Sequence, residues 1–295
     1  MKKLVRGISP PFLVAAAQPI RRWLRRFSRR PPEWEFVQEG WARAGDHIRG
    51  WDVDNVLDAY RAKLPAVQQA LDGPGPIGFP TSAGLPVGRA SIAQQNTLLA
   101  FAYALLLASG RKDRVSILDW GGGLGYFYFL SRALLPSDVE IEYHCKDGPL
   151  ICQYGREALP EITFWDDESC LARQYDFVCA SSSLQYSEPW KDLVGRLANS
   201  ARSYLFLTRV PVVFQSPSFV ALQRAWGYAF DTELLSWVFN RQELLDAVDE
   251  SSMTLVREFL LLGQPHVVGA PEQQAIRGYL FSRTTSPVLE AALGP

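Results

Sequence analysis

The segment Val115–Phe127 reads VSILDWGGGLGYF. A short β-branched and aliphatic run ends in Asp119, and glycines follow at Gly121, Gly122, Gly123 and Gly125. Such a run predicts a buried strand, and the glycines predict a sharp bend with no Cβ between main chain and ligand. A helix starts near Gly125, so the ligand would sit at the carboxyl end of the strand, against the helix N-terminus. The spacing differs from the dinucleotide fingerprint Gly-x-Gly-x-x-Gly. Counting from Gly121, its third glycine falls on Tyr126, and counting from Gly122 its second falls on Leu124. An acid two residues before the first glycine repels a pyrophosphate and suits a ligand carrying an ammonium group.

Downstream, Val139–Cys145 predicts a second strand, with Asp147 placed 22 residues after Gly125. A carboxylate at that strand end can accept hydrogen bonds from both hydroxyls of a ribose. Gly148–Leu159 then predicts a helix, and Ile162–Trp165, Phe177–Ser181 and Tyr204–Thr208 predict three more strands. Asn240–Asp249 reads as a helix capped by Asn240, and Met253–Leu262 and Ile276–Ser282 as two closing strands. Strand–helix alternation of this kind implies a mostly parallel sheet.

Upstream, Asn55–Leu71 and Ser91–Ser109 predict helices. The stretch 73–88 between them holds five glycines and four prolines in sixteen positions and predicts a loop. The expected organisation is a basic leader over 1–30, a helical N-terminal cap over 31–112, an α/β domain over 113–285 and a tail over 286–295. The glycine/proline loop would act as a lid on the cleft.

Composition bounds the partners. Formal net charge is -1, and 47% of residues are hydrophobic against 21% charged, which describes a globular chain with no global field for nucleic acid. Residues 1–30 nevertheless carry nine Lys/Arg and no acid, leaving 21 basic against 31 acidic groups in the remainder. Within that leader Ile20, Trp23, Leu24 and Phe27 recur at helical spacing opposite the arginines of Arg21–Arg30. One reading is a helix lying on an anionic membrane surface, and the other is a solvated leader. No run of about 18 apolar residues is evident, which predicts no membrane-spanning helix. The four cysteines form no CxxC pair and come with three histidines, so no metal site is expected and free thiols in a reducing cytosol are.

Over roughly residues 114–284 the chain resembles the class I S-adenosylmethionine-dependent methyltransferases. The resemblance implies a Rossmann-like three-layer α/β sandwich, with a seven-stranded, mostly parallel sheet whose last strand is antiparallel. It also implies S-adenosylmethionine as cofactor. The methionine and ribose portion would lie on Asp119, Gly121, Gly122, Gly123 and Gly125, and the ribose hydroxyls on Asp147. The adenine would lie by the turn Trp165, Asp166 and Asp167. Ser181 joins the cofactor set. The stretches LDWGGGLG, ASSSLQY, FLTRVP, FNRQELL and GAPEQ look more narrowly like a branch of bacterial methyltransferases, some of them associated with surface-polysaccharide biosynthesis. That branch often has a glutamate-containing version of Lys146-Asp147-Gly148-Pro149, so the ribose role of Asp147 rests on position.

Family geometry puts the acceptor over the ends of strands four and five, where Ser183, Gln185, Tyr186 and Arg209 fall. Arg209 would grip a carboxylate or phosphate, its alternative being a salt bridge at the sheet end. Tyr228, Trp237 and Phe239 would floor a sugar pocket or pack in the core. No Asn/Asp-Pro-Pro-aromatic motif is present, which favours a hydroxyl or carboxyl acceptor on a small molecule or saccharide. A hydroxyl needs a base, and His266, His47 and Tyr186 are the candidates, with His144 read as structural. Two other readings stay open. One is an NAD-dependent oxidoreductase or epimerase with a variant loop, the other a non-catalytic cofactor-binding scaffold at the membrane. The expected location is cytoplasmic, with the leader against the inner face of the membrane.

Overall fold

Arg114–Trp120, the strand that enters the glycine bend, is buried at six of its seven residues. A strand buried on both faces needs neighbours on both edges and a helical layer above and below. The computed structural model supplies them; it describes residues 31–43, 48, 50–71, 91–228 and 230–283, and only the backbone of 227 and 228. The basic leader, His47, the stretch 73–88 and the tail 286–295 lie outside the described residues. The chain divides after Pro32, and every element below belongs to the unit Glu33–Pro295.

In chain order the elements are β1 (Trp34–Val37), α1 (Asp54–Leu71), α2 (Ile92–Ser109), β2 (Arg114–Trp120), α3 (Tyr126–Leu134), β3 (Glu140–Lys146), α4 (Pro149–Ala158) and β4 (Thr163–Trp165). There follow β5 (Tyr175–Ser181), α5 (Trp190–Ser200), β6 (Ala201–Val213), β7 (Phe219–Arg224), β8 (Glu233–Asn240), α6 (Arg241–Asp249), β9 (Met253–Leu260) and β10 (Ala275–Arg283). The main sheet runs β4-β3-β2-β5-β6-β10-β9. Its first five strands are parallel, and β10 runs antiparallel to both β6 and β9. This is a Rossmann-like sandwich of seven strands with an antiparallel last strand. The topological switch lies between β2 and β5, and it opens the crevice at their carboxyl ends.

Helices α2, α3 and α4 bury one face of the sheet, with Phe101 stacked on Phe127 at 4.1 Å between ring centroids. Helices α5 and α6 bury the other through Trp190, Leu193, Val194, Leu197 and Leu244. The long helix α2 starts on a reciprocal cap: the Ser91 hydroxyl accepts the Gln94 amide, and the Ser91 amide donates to the Gln94 side chain. It is apolar and long enough to cross a membrane by length and composition, but eight of its residues are buried against the sheet. It therefore serves as a layer of the sandwich rather than as part of a separate cap.

The N-terminal stretch, expected as a helical cap, also contains a strand. It opens with β1, which pairs antiparallel with β7, and β7 pairs antiparallel with β8. This three-stranded ribbon joins the main sheet where β8 runs beside the last two residues of β6. Strand β6 reaches it by a bulge. Leu207 pairs with Tyr279 and Val210 with Arg277, so Thr208 and Arg209 face the single Gly278. Arg209 takes φ +55° there, and a bulge of this kind re-aims its side chain.

Candidate functional site

The glycine bend closes tightly on its surroundings. Gly121 and Gly123 adopt φ of +74° and +60°, the left-handed region that costs a side-chain-bearing residue about 1–2 kcal/mol. A Cβ on Gly121 would collide with Ser183, one on Gly122 with Asp119, and one on Gly125 with Ile162. A Cβ on Gly123 would come 3.2 Å from the Tyr60 ring. The bend is thus held by close packing beneath and covered by Tyr60 from α1.

Two carboxylates serve it. Asp147, directly after β3, accepts the Gly123 amide on Oδ2 and the Gly148 amide on Oδ1, both at 2.7 Å. Burial raises its pKa while those two amides pull it down. Asp119 lies fully buried under the bend, where its carboxylate accepts the Tyr143 hydroxyl at 2.6 Å and the Cys179 thiol at 3.2 Å. Burial raises it to about 6, against the pull of those two hydrogen bonds. Asp119 therefore supports the bend and places negative charge beneath it, instead of presenting an open carboxylate.

A cavity of about 430 Å³ opens over the bend. Asp119, Gly121, Gly122, Gly123, Asp147, Ser181, Ser183, Tyr186 and Arg209 all line it, so nine residues singled out from sequence are brought together. Gly125 lies at the start of α3, at the end of the same bend. Arg209 is pinned by Ser181, its Nε donating to the Ser181 hydroxyl at 3.0 Å and its Nη2 to the Ser181 carbonyl at 3.1 Å. The Ser183 hydroxyl donates to the Trp120 carbonyl at 2.6 Å, tying the β5 turn to the end of β2. The Tyr186 hydroxyl donates to the Gln223 side chain at 2.7 Å, a commitment that suits a positioning group better than a base.

Other expected residues lie elsewhere. Trp165, Asp166 and Asp167 do not line the cavity. The Trp165 indole donates to His144, Asp166 pairs with Arg156, and Asp167 caps the turn at Ser169. Local partners hold all three, Trp165 at the end of β4 and Asp166 and Asp167 in the turn after it. Gln185 is buried behind the turn, donating to the Ser182 hydroxyl. His266 sits exposed in the loop after β9, away from the cavity, because that loop packs at the ribbon side of the sheet. His144 is buried inside β3 between Glu142 and Trp165, a structural histidine. Phe239 packs on Trp190 at 4.8 Å in the core, and Trp237 lies beside Trp41, so neither floors the pocket. His47 and the Tyr228 side chain lie outside the described residues.

The structure adds wall residues the sequence did not single out as site residues: Trp51, Asp52, Tyr60, Lys63, Gln223 and Phe230. Trp51 belongs to a tryptophan-rich stretch and Tyr60 and Lys63 to a helix evident in the sequence. Only tertiary docking decides that they face the bend. Asp52 accepts the Leu150 amide at 3.0 Å, capping α4 beside Asp147.

No family model matches the chain, and no curated protein matches it. Solved structures resemble it distantly. A magnesium protoporphyrin IX methyltransferase from Synechocystis PCC 6803, with bound S-adenosylmethionine, aligns over 78% of this chain and 96% of its own at 14% identity and TM-score 0.41. A 1,6-didemethyltoxoflavin N1-methyltransferase from Burkholderia thailandensis aligns over 71% of this chain and 100% of its own at 13% identity and TM-score 0.41. An amino pentose methyltransferase from Micromonospora echinaspora aligns over 66% and 92% at 16% identity and TM-score 0.44. Likeness at this level leaves the site to be read from its own residues.

Proposed function

We propose that the chain is an S-adenosylmethionine-dependent methyltransferase that methylates oxygen on a small molecule or saccharide. The observation that carries this reading is the bend itself. Bare main chain at Gly121–Gly123 faces the cavity, and the carboxylate of Asp147 holds the Gly123 amide from the end of the neighbouring strand. S-adenosylmethionine, a sulfonium, has a positive charge to set near Asp119 and Asp147 and two ribose hydroxyls to offer to the remaining lone pairs of Asp147. The bound cofactor would supply an electrophilic methyl group for in-line displacement.

The chain's own residues would orient and enclose. Tyr60 covers the bend, Trp51, Tyr186 and Phe230 exclude water from the acceptor side, and Arg209, held by Ser181, lines the same cavity. The resemblance of LDWGGGLG, ASSSLQY and FNRQELL supports an acceptor from surface-polysaccharide biosynthesis. The arginines of Arg21–Arg30 support peripheral contact with the inner face of a membrane, where such acceptors are assembled.

Calorimetric titration of the full chain with S-adenosylmethionine and S-adenosylhomocysteine tests the cofactor. Both are expected to bind, and Gly123→Val is expected to abolish binding because it fills the cradle. Absence of heat with the unaltered protein sinks the reading. Mass spectrometry for a methyl gain on saccharide and small-molecule pools then tests the acceptor.

A further inference from the structure

Charge and surface are divided across the cavity. The acids Asp119 and Asp147 gather at the bend, and Lys146 stays on that side, its ammonium donating to the Asp147 carbonyl at 3.0 Å. The other wall is aromatic. Trp51 packs edge-on against Tyr186 at 5.4 Å and against Phe230 at 5.9 Å, and Tyr60 against Phe230 at 6.3 Å. All four rings line the cavity.

Lys63 stands in this wall, one helical turn after Tyr60, with its ammonium 5.8 Å from the centroid of the Phe230 ring. It is half-buried, and among the described residues no carboxylate pairs with it. Another cation lining the cavity, Arg209, is pinned in place by Ser181. An ammonium drawn out of water without an anion is unfavourable, and burial lowers its pKa accordingly. An anion entering the cavity would remove that cost. A ring brought in with it would meet aromatic edges and faces, which bind cyclic ligands by contact area with little loss of entropy.

We propose that the acceptor is an anionic ring compound, a sugar or aromatic ring bearing a carboxylate or phosphate, whose charge is taken by Lys63 and whose ring lies on Trp51, Tyr60, Tyr186 and Phe230. This deepens the methyltransferase reading and rests on it only for the word acceptor; the pocket is testable alone.

Tryptophan fluorescence reports occupancy, because Trp51 and Trp120 both line the cavity. The full chain, saturated with S-adenosylhomocysteine where that ligand binds, would be titrated with D-glucuronate, glucose 1-phosphate and benzoate. Methyl glucoside and benzyl alcohol are the neutral counterparts. At least one acid is expected to bind roughly tenfold more tightly than its neutral partner, the change one charge-assisted contact brings. Glucuronate against glucose 1-phosphate tells carboxylate from phosphate. Lys63→Met is expected to lose the preference while keeping its affinity for S-adenosylhomocysteine, and Lys63→Arg to retain it. Equal binding of acids and neutral rings, no binding by any acid, or a preference that survives in Lys63→Met overturns the proposal. Calorimetry with S-adenosylhomocysteine is read separately, so a failure of the cofactor and a failure of the pocket are told apart.

Discussion

The amide of Gly123 donates to the carboxylate of Asp147 at 2.7 Å, so the residue directly after β3 fixes the bend directly after β2. The same carboxylate takes the Gly148 amide at the start of α4. Asp147→Ala removes the acceptor for both amides at once. Hydrogen bonds to a charged group contribute about 1.5–3 kcal/mol. The variant is expected to bind S-adenosylmethionine at least tenfold more weakly, and Asp147→Asn to fall between it and the unaltered chain. Calorimetric titration of the three proteins checks the order. Equal affinities would detach Asp147 from the ligand.

Tyr60 and Gly123 form the second test, because two separate costs meet there. A methyl group on Gly123 comes 3.2 Å from the Tyr60 ring and must also accept φ +60°. Gly123→Ala is expected to destabilise the chain by about 1–2 kcal/mol, measured as a shift in urea midpoint at constant slope. Tyr60→Ala in the same chain relieves the contact and leaves the backbone cost. Adding Gly123→Ala to Tyr60→Ala should therefore lower the midpoint by less than it does in the unaltered chain, and no lowering at all would show that φ carries no cost.

How much of this was legible from the residues follows from how local each signal is. The strand–bend–helix of Val115–Leu134 could be read directly because burial, turn chemistry and the helix start are all encoded within about twenty positions. Asn240 was equally clear, and its side chain accepts the Gln242 and Glu243 amides as a cap should. The ribbon β1-β7-β8 was not legible. Trp34 pairs with Gln223, far away in sequence, and all six residues of β7 are buried, including Gln223 and Arg224, so no alternation marks the strand. Arg224 is stabilised there by ion pairs with Glu35 of β1 and Glu233 of β8. The aromatic wall was missed for the same reason, since a helix pattern does not say which neighbour its Tyr60 and Lys63 will meet.

Phe101 and Phe127 couple the core to the site. Their rings stack at 4.1 Å with a 10° interplanar angle, joining α2 to the helix that begins at the bend. Phe101 is fully buried, so Phe101→Ala opens a cavity and is expected to cost about 3–5 kcal/mol. Phe101→Leu should cost less than half of that. Because Phe127 also lines the ligand cavity, the alanine variant should lose cofactor affinity along with stability. Urea unfolding and titration on the same samples test the linkage, and unchanged affinity in a destabilised variant would break it.

Asp119 makes stability and ligand uptake depend on pH. Burial raises its pKa from 3.8 to about 6, so between those values the folded chain holds a proton that the unfolded chain has released. Stability from this group is therefore fully present below about pH 4 and is lost as pH rises to about 6, by roughly 3 kcal/mol in all. Asp119→Asn stays neutral, can still accept the Tyr143 hydroxyl, and should flatten that segment of the profile, leaving the contribution of Asp147, which runs in the same direction. Urea midpoints from pH 4 to 7 for both proteins measure it. The ionised form above pH 6 is the one that attracts a cation, so a sulfonium binding near it at pH 6 should expel a fraction of a proton. The neutral sulfide S-adenosylhomocysteine should expel less, and Asp119→Asn should remove the difference. Titrations in buffers of unlike ionisation enthalpy read that proton count directly. Identical counts for the two ligands would mean that Asp119 shapes the bend without sensing the charge above it.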